Sequence, residues 1–174
     1  MIPDELRGQV SSVRIVVLAF ACGAWMFPLV IFFLVTPVAG ASPGAVTFVA
    51  AVASVMSVGM GFVLPGVIVS QGRAQIRRGG FHASGTPSER EAVDRAGDAG
   101  RLLNLFRGAT IMGAAVIEFG SLFSTVAYLV EGSRWMLVPA FVLPLLILLF
   151  RLPSDRAVSD WLEQQQRLLS RERG

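Results

Sequence analysis

Four long apolar runs divide the chain: residues 15–35, 46–69, 109–130 and 135–150, with Glu118 as their single charged residue. A helix rises ~1.5 Å per residue, so about 20 residues cross the ~30 Å hydrocarbon core of a bilayer. Lipid offers no hydrogen bonds to the backbone, so each run is predicted to be a helix. The pattern predicts an all-α protein, a four-transmembrane-helix bundle. The first run is too long for a signal-peptide core and is predicted to be a retained span.

Two polar segments flank or separate these runs. In the loop 70–107, Thr86, Pro87 and Glu89 have the spacing of a capping box, which predicts a short loop helix starting at Pro87. In the tail, apolar residues recur near helical spacing over 155–171 and predict an amphipathic helix: Ala157, Val158, Trp161, Leu162, Leu168 and Leu169. Its apolar face would lie on the membrane surface or pack on a partner protein. The predicted domains are a four-span membrane domain, 1–151, and a cytoplasmic amphipathic tail, 152–174.

Arginine placement predicts the orientation. All 15 basic residues are Arg, and 14 of them precede the first run, lie in the 70–107 loop or follow the fourth run, leaving Arg134 alone between the last two runs. Cytoplasmic segments of membrane proteins are enriched in Arg and Lys. We therefore expect a multi-pass protein of a bacterial inner membrane, with the N and C termini and the long loop in the cytoplasm and the lipid bilayer as its first partner.

Composition removes several classes of function. Charged residues make up 16% of the chain and the net charge is only +3, with no basic patch interleaved with aromatics, so no nucleic-acid partner is predicted. A single cysteine, Cys22, and a single histidine, His82, cannot form a disulfide or a Cys/His metal site. No metal or cofactor is predicted. The chain lacks GxSxG, HExxH and P-loop motifs, so we do not expect an enzyme.

Small residues in the second run predict a helix-packing face. Ala53, Ser57 and Gly61 follow one another at four-residue spacing. In a membrane, small residues at this spacing let a neighbouring helix approach closely.

Glu118 is the residue that most needs a chemical explanation. It lies near the middle of the third run, where an ionised acid costs at least ~2–3 kcal/mol. Ser121 and Thr125 follow it at i+3 and i+7 and share its helix face. These three residues are predicted to form a proton or ion site, or a helix-glue site. In the second reading, Glu118 hydrogen-bonds a partner helix, another subunit, or a carbonyl freed by one of the prolines in the runs.

The segment RGATIMGAAVIEFGSLFSTVAYLVEG, residues 107–132, resembles two families. It looks like the third helix of uncharacterised four-helix bacterial integral membrane proteins, which implies the fold but no activity. It is also similar to the carboxylate helix of the rotary ATP synthase proteolipid (c) subunit, where Arg likewise precedes an apolar helix with one central Glu. That likeness covers one helix, since only Gly59-Met60-Gly61 matches the glycine run of the proteolipid. It implies that Glu118 binds a proton.

These features lead to two functional predictions. The first is a structural or accessory subunit, or a homo-oligomer, assembled in a larger membrane complex through small-residue helix faces and Glu118. The alternative is a small proton- or cation-linked channel or transporter that uses Glu118.

Overall fold

The computed structural model describes residues 4–35 and 44–173 of the chain. This part of the chain is helical and contains no strand. Its elements, in chain order, are α1 (Asp4–Leu34), α2 (Ala45–Arg77), α3 (Pro87–Arg95), α4 (Gly97–Glu131), a 3₁₀ turn (Arg134–Met136), α5 (Leu137–Arg151) and α6 (Asp155–Arg173). The all-α class predicted from the sequence is confirmed.

Four of these helical segments are long and apolar enough to span a membrane. They are Gly8–Leu34, Ala45–Arg77, Gly97–Glu131 and Arg134–Arg151. Each contains one of the four predicted runs, or nearly all of it. The most apolar window of Gly97–Glu131 is 50% buried, against 17–28% for the other three. Hence the apolar window of α4 is the most buried of the four, and the windows of the other three candidate spans present more of their surface outward.

The described chain forms two compact units. We call the first, drawn from residues 1–15, 64–111 and 153–174, the arginine-rich unit, because 13 of the 15 arginines belong to it. The second, residues 16–63 and 112–152, is the apolar unit, with only four charged residues: Glu118, Glu131, Arg134 and Arg151. The predicted domains, 1–151 and 152–174, instead separate the part expected in the membrane from the tail expected in the cytoplasm. That division remains a prediction.

The core of the arginine-rich unit includes the apolar face of α6. Val158, Leu162 and Leu169 are 0–6% exposed. They pack with buried residues of three other helices: Val10, Ile76, Leu102, Leu103 and Leu105. The ring of Trp161 lies 5.1 Å from that of Phe106. The chain itself therefore covers Val158, Leu162 and Leu169, whereas Ala157 of the predicted face is exposed. A membrane surface or a partner protein as a further cover remains a prediction.

A capping box starts α3. The Thr86 hydroxyl accepts the backbone N–H of Glu89, and the Glu89 carboxylate accepts the backbone N–H of Thr86 at 2.9 Å. Arg107 of α4 donates to the same carboxylate at 2.7 Å. The hydrogen bonds from Arg107, first, and from Thr86 lower the pKa of Glu89 from 4.5 to about 2. The helix ends before Gly97, whose φ of +60° suits glycine, and α4 then runs unbroken.

The closest helix contact of the apolar unit joins α2 to α4 through small residues. A β-carbon at Gly61 would lie 2.5 Å from Cγ1 of Ile117, and one at Gly120 would overlap the Ser57 hydroxyl. The hydroxyls of Ser54 and Ser124 are 2.6 Å apart, and both are buried. The contact therefore depends on the absence of larger side chains, as close helix packing in membranes commonly does.

Candidate functional site around Glu118

Glu131, at the last residue of α4, binds the free amino-terminal end of α2. Its carboxylate accepts backbone N–H groups from Gly44, Val46 and Thr47 at 2.8, 3.0 and 2.8 Å. These groups include amides that have no partner inside the helix, and the helix dipole favours a negative charge there. The charge of Glu131 is thus used structurally, to join α2 to α4.

Arg151, at the last residue of α5, binds a backbone carbonyl that a proline has released. Pro65 lies inside α2 and has no N–H, so the carbonyl of Gly61, four residues earlier, lacks its usual donor. The Arg151 guanidinium donates to that carbonyl. It also lies over the ring of Phe62, 5.0 Å from the centroid, in a cation–π contact. This charge, too, has partners inside the apolar unit.

Glu118 differs from these two residues. It lies midway along the apolar part of α4 and is partly buried. Its Oε1 atom is next to Gly23 of α1, 3.4 Å from the position that a β-carbon there would occupy. No residue in the described part of the chain forms a hydrogen bond or an ion pair with this carboxylate. It is therefore an acid in the middle of a candidate membrane span, and no residue in the described part of the chain uses its bonding capacity.

Ser121, one turn after Glu118, connects two proline kinks. Pro28 lies inside α1 and Pro144 inside α5, so the carbonyls of Ala24 and Ala140 each lack the usual i+4 donor. The Ser121 hydroxyl is fully buried and donates to the Ala140 carbonyl at 2.7 Å. The Ala24 carbonyl is 3.4 Å from the same hydroxyl. A hydroxyl carries only one proton, so a single donor is shared by two carbonyls that both lack their helical hydrogen bond.

Thr125 is not part of this cluster. Its buried hydroxyl donates to the carbonyl of Ser121 in its own helix at 3.0 Å. A nearby polar contact instead joins α1 to α5, where the Trp25 indole donates to the carbonyl of Phe141 at 3.1 Å. The structure thus brings Glu118 and Ser121 to one side of α4, next to α1, while Thr125 bonds within its helix.

The predicted packing residues occupy different settings. Ser57 and Gly61 are buried in the contact between α2 and α4, whereas Ala53 is only partly buried. In the part of α2 that belongs to the apolar unit, the buried positions are Ala50, Ser54, Ser57 and Gly61. The spacing alternates between four and three residues because a helix has 3.6 residues per turn. Ser57 and Gly61 therefore contribute to the packing of α2 against α4.

Sequence reasoning considered a carbonyl freed by a proline as a partner of Glu118, but it did not identify the carbonyls of Ala24 and Ala140 as neighbours of Ser121. Ala24 and Ala140 have no polar side chain, so a search of side chains passes over them. The signal that could have found them is the proline four residues downstream of each. The described residues contain no group of three His, Cys, Asp or Glu side chains that could hold a metal ion. The polar groups of this site are the Glu118 carboxylate, the Ser121 hydroxyl and the carbonyls of Ala24 and Ala140.

Comparisons with known proteins add no relative. No protein-family model, no curated protein and no solved structure matches this chain significantly.

Proposed function

We propose that the protein is a four-span inner-membrane protein that carries a proton or a small cation on Glu118, as a small cation-linked channel or transporter. The observation behind this proposal is the combination of a mid-span carboxylate without a partner in the described chain and a neighbouring hydroxyl shared by two released carbonyls. Intramembrane acids commonly mark ion and proton pathways. Carbonyls of interrupted helices coordinate ions in many transporters.

The pattern of charge partners supports this assignment. Glu131 and Arg151 have partners in the apolar unit, and Arg134 is exposed in the turn between the last two spans. Glu118 alone has mid-span depth and no partner among described residues. Leaving an ionised acid at such depth costs at least ~2–3 kcal/mol. A proton or a cation taken up from outside the chain removes that cost, and its release restores it.

Orientation follows from the charges of the arginine-rich unit. Its 13 arginines are expected on the cytoplasmic side, together with both termini and the 70–107 loop. Arg134 then belongs to the opposite surface. The carried ion would reach Glu118 from one of these two sides.

Flux into liposomes tests the proposed function. Wild-type protein is reconstituted, and proton and Na⁺ entry are followed with separate indicator dyes under an imposed gradient. We expect flux from the wild type, and loss of at least nine-tenths of it in Glu118→Gln, which keeps the size and polarity of the side chain but cannot take up the charge. Ser124→Ala is the matched control, because Ser124 is a buried hydroxyl on the same helix that contacts Ser54 instead. Absence of flux in wild type, or equal flux in Glu118→Gln, would refute the proposal.

A second function, assembly with another membrane subunit, rests on a different observation. Glu118 is only partly buried, and Ala19, Cys22 and Gly23 of the adjacent α1 are exposed. A neighbouring helix could approach this surface and hydrogen-bond the acid. The mass of the complex in mild detergent tests it: assembly predicts an oligomer or a larger complex that dissociates in Glu118→Ala. A monomer in wild type would exclude this function.

A further inference from the structure

We infer that Glu118, the Ser121 hydroxyl and the carbonyls of Ala24 and Ala140 bind a small monovalent metal cation of the size of Na⁺. This inference deepens the proposed function, since it names the ion and the ligands of the same site. Three observations support it: the number of hydrogen-bond donors and acceptors around Ser121, the distances between the oxygen atoms there, and the single negative charge of Glu118.

The donor count leaves an acceptor unserved. Around Ser121 lie two carbonyl oxygens that prolines have deprived of their helical donors. The Ser121 hydroxyl has one proton to donate, and the carbonyl oxygens of Ala140 and Ala24 lie 2.7 and 3.4 Å from it, so it cannot serve both carbonyls fully. A buried carbonyl that lacks a full hydrogen bond carries a free-energy cost. A cation bound between the two oxygens would remove that cost.

The spacing of the oxygens suits a hard cation. Cations of this size hold oxygen ligands at ~2.3–2.6 Å, so neighbouring ligands at right angles lie about 3.3–3.7 Å apart. The 3.4 Å between Ser121 Oγ and the Ala24 carbonyl is in this range. The 2.7 Å to Ala140 is shorter, so on binding the Ser121 hydroxyl would turn its proton away and that distance would lengthen. Glu118 precedes Ser121 by one turn, and its carboxylate lies against Gly23, the neighbour of Ala24.

The charge at the site selects a monovalent ion. Glu118 supplies one negative charge, while the other charges of the apolar unit have partners or lie in the exposed turn. A singly charged cation therefore makes a neutral site, whereas a divalent cation leaves a net positive charge in an apolar region, which is costly. The ligands come from α1, α4 and α5, so binding would also stabilise the contacts between these helices.

The test measures the thermal unfolding midpoint of the purified full chain in detergent, titrated with NaCl and, at matched ionic strength, with choline chloride. A ligand that binds only the folded state raises the midpoint steadily with the logarithm of its concentration. We expect this rise with Na⁺ and not with choline. The slope should vanish in Glu118→Gln, fall in Ser121→Ala and persist in Ser124→Ala. Slopes are compared within each variant, so a variant that is merely less stable still gives an answer.

Each other outcome has a definite meaning. The inference is wrong if wild type shows no Na⁺ slope, or if the slope persists in Glu118→Gln. It is equally wrong if Na⁺ has no effect and Glu118→Gln is more stable than wild type. In that case the glutamine amide, or the protonated acid in wild type, would supply the hydrogen bond that the carbonyl lacks. A Na⁺ slope in wild type without flux in liposomes would overturn the proposed transport and leave the cation site standing.

Discussion

The two units of this protein neutralise their charges in different ways. In the arginine-rich unit, charged side chains have partners of opposite charge in addition to backbone groups: Arg107 pairs with Glu89 at 2.7 Å, and Arg14 with Asp155 at 2.8 Å. In the apolar unit, Glu131 and Arg151 bind backbone groups left free by a helix end and by a proline. Charged side chains are rare in an apolar environment, so the partners available there are mainly backbone groups without a helical hydrogen bond. Glu118 is the exception, and the proposed function follows from it.

The largest effect is expected at Gly61, where the apolar unit depends on close backbone approach. Gly61→Ala places a β-carbon 2.5 Å from Ile117 and 3.3 Å from the Gly113 carbonyl. We expect a loss of about 1–3 kcal/mol from overpacking, measured as a lower unfolding midpoint in detergent. Gly59→Ala is the control, because nothing lies within 4 Å of its β-carbon position. This control should be neutral or gain about 0.5–1 kcal/mol, since alanine favours a helix. Equal losses at both positions would remove the argument for tight packing between α2 and α4.

A smaller effect is expected at Ser121, which tests whether released carbonyls need a donor. Ser121→Ala should destabilise the protein by about 1–2 kcal/mol because the Ala140 carbonyl becomes unpaired. Pro144→Ala returns an N–H four residues after Ala140, so adding Ser121→Ala in that background should cost distinctly less. The coupling is measured as a double-mutant cycle from unfolding midpoints. Additive losses would show that Ser121 does not act through the proline kink.

The smallest effect is expected in the arginine-rich unit, where charge pairs are open to water. The pKa of Glu89 is lowered to about 2 from 4.5, so its ionised form stabilises the fold above pH 4.5 and this contribution disappears as the pH falls toward 2. Glu89→Gln should therefore lower the unfolding midpoint by a few degrees at neutral pH, and the difference from wild type should shrink on acidification. Glu91→Gln, at an exposed position of the same helix, serves as the control. A difference that does not depend on pH would contradict this explanation.

The sequence was sufficient to predict the helices that depend on their solvent or on contacts between residues close together in the chain. The spans are recognisable because lipid requires uninterrupted apolar residues, and α3 because Thr86 and Glu89 satisfy each other's amides locally. The cover of the α6 face was not predictable, since an amphipathic pattern shows that Val158 and Leu162 are covered but not by what. Likewise, Pro28 and Pro144 reveal that carbonyls are released, but only the fold shows that both carbonyls meet Ser121.

The most direct test of the central claim is the infrared spectrum of the Glu118 carboxyl group. Difference spectra are recorded as the buffer cation is exchanged between Na⁺ and choline, for wild type and for Glu118→Gln. Uptake of a cation by Glu118 predicts a carboxyl or carboxylate difference band in wild type that is missing from the variant. Identical spectra in the two proteins would contradict the claim that Glu118 binds Na⁺.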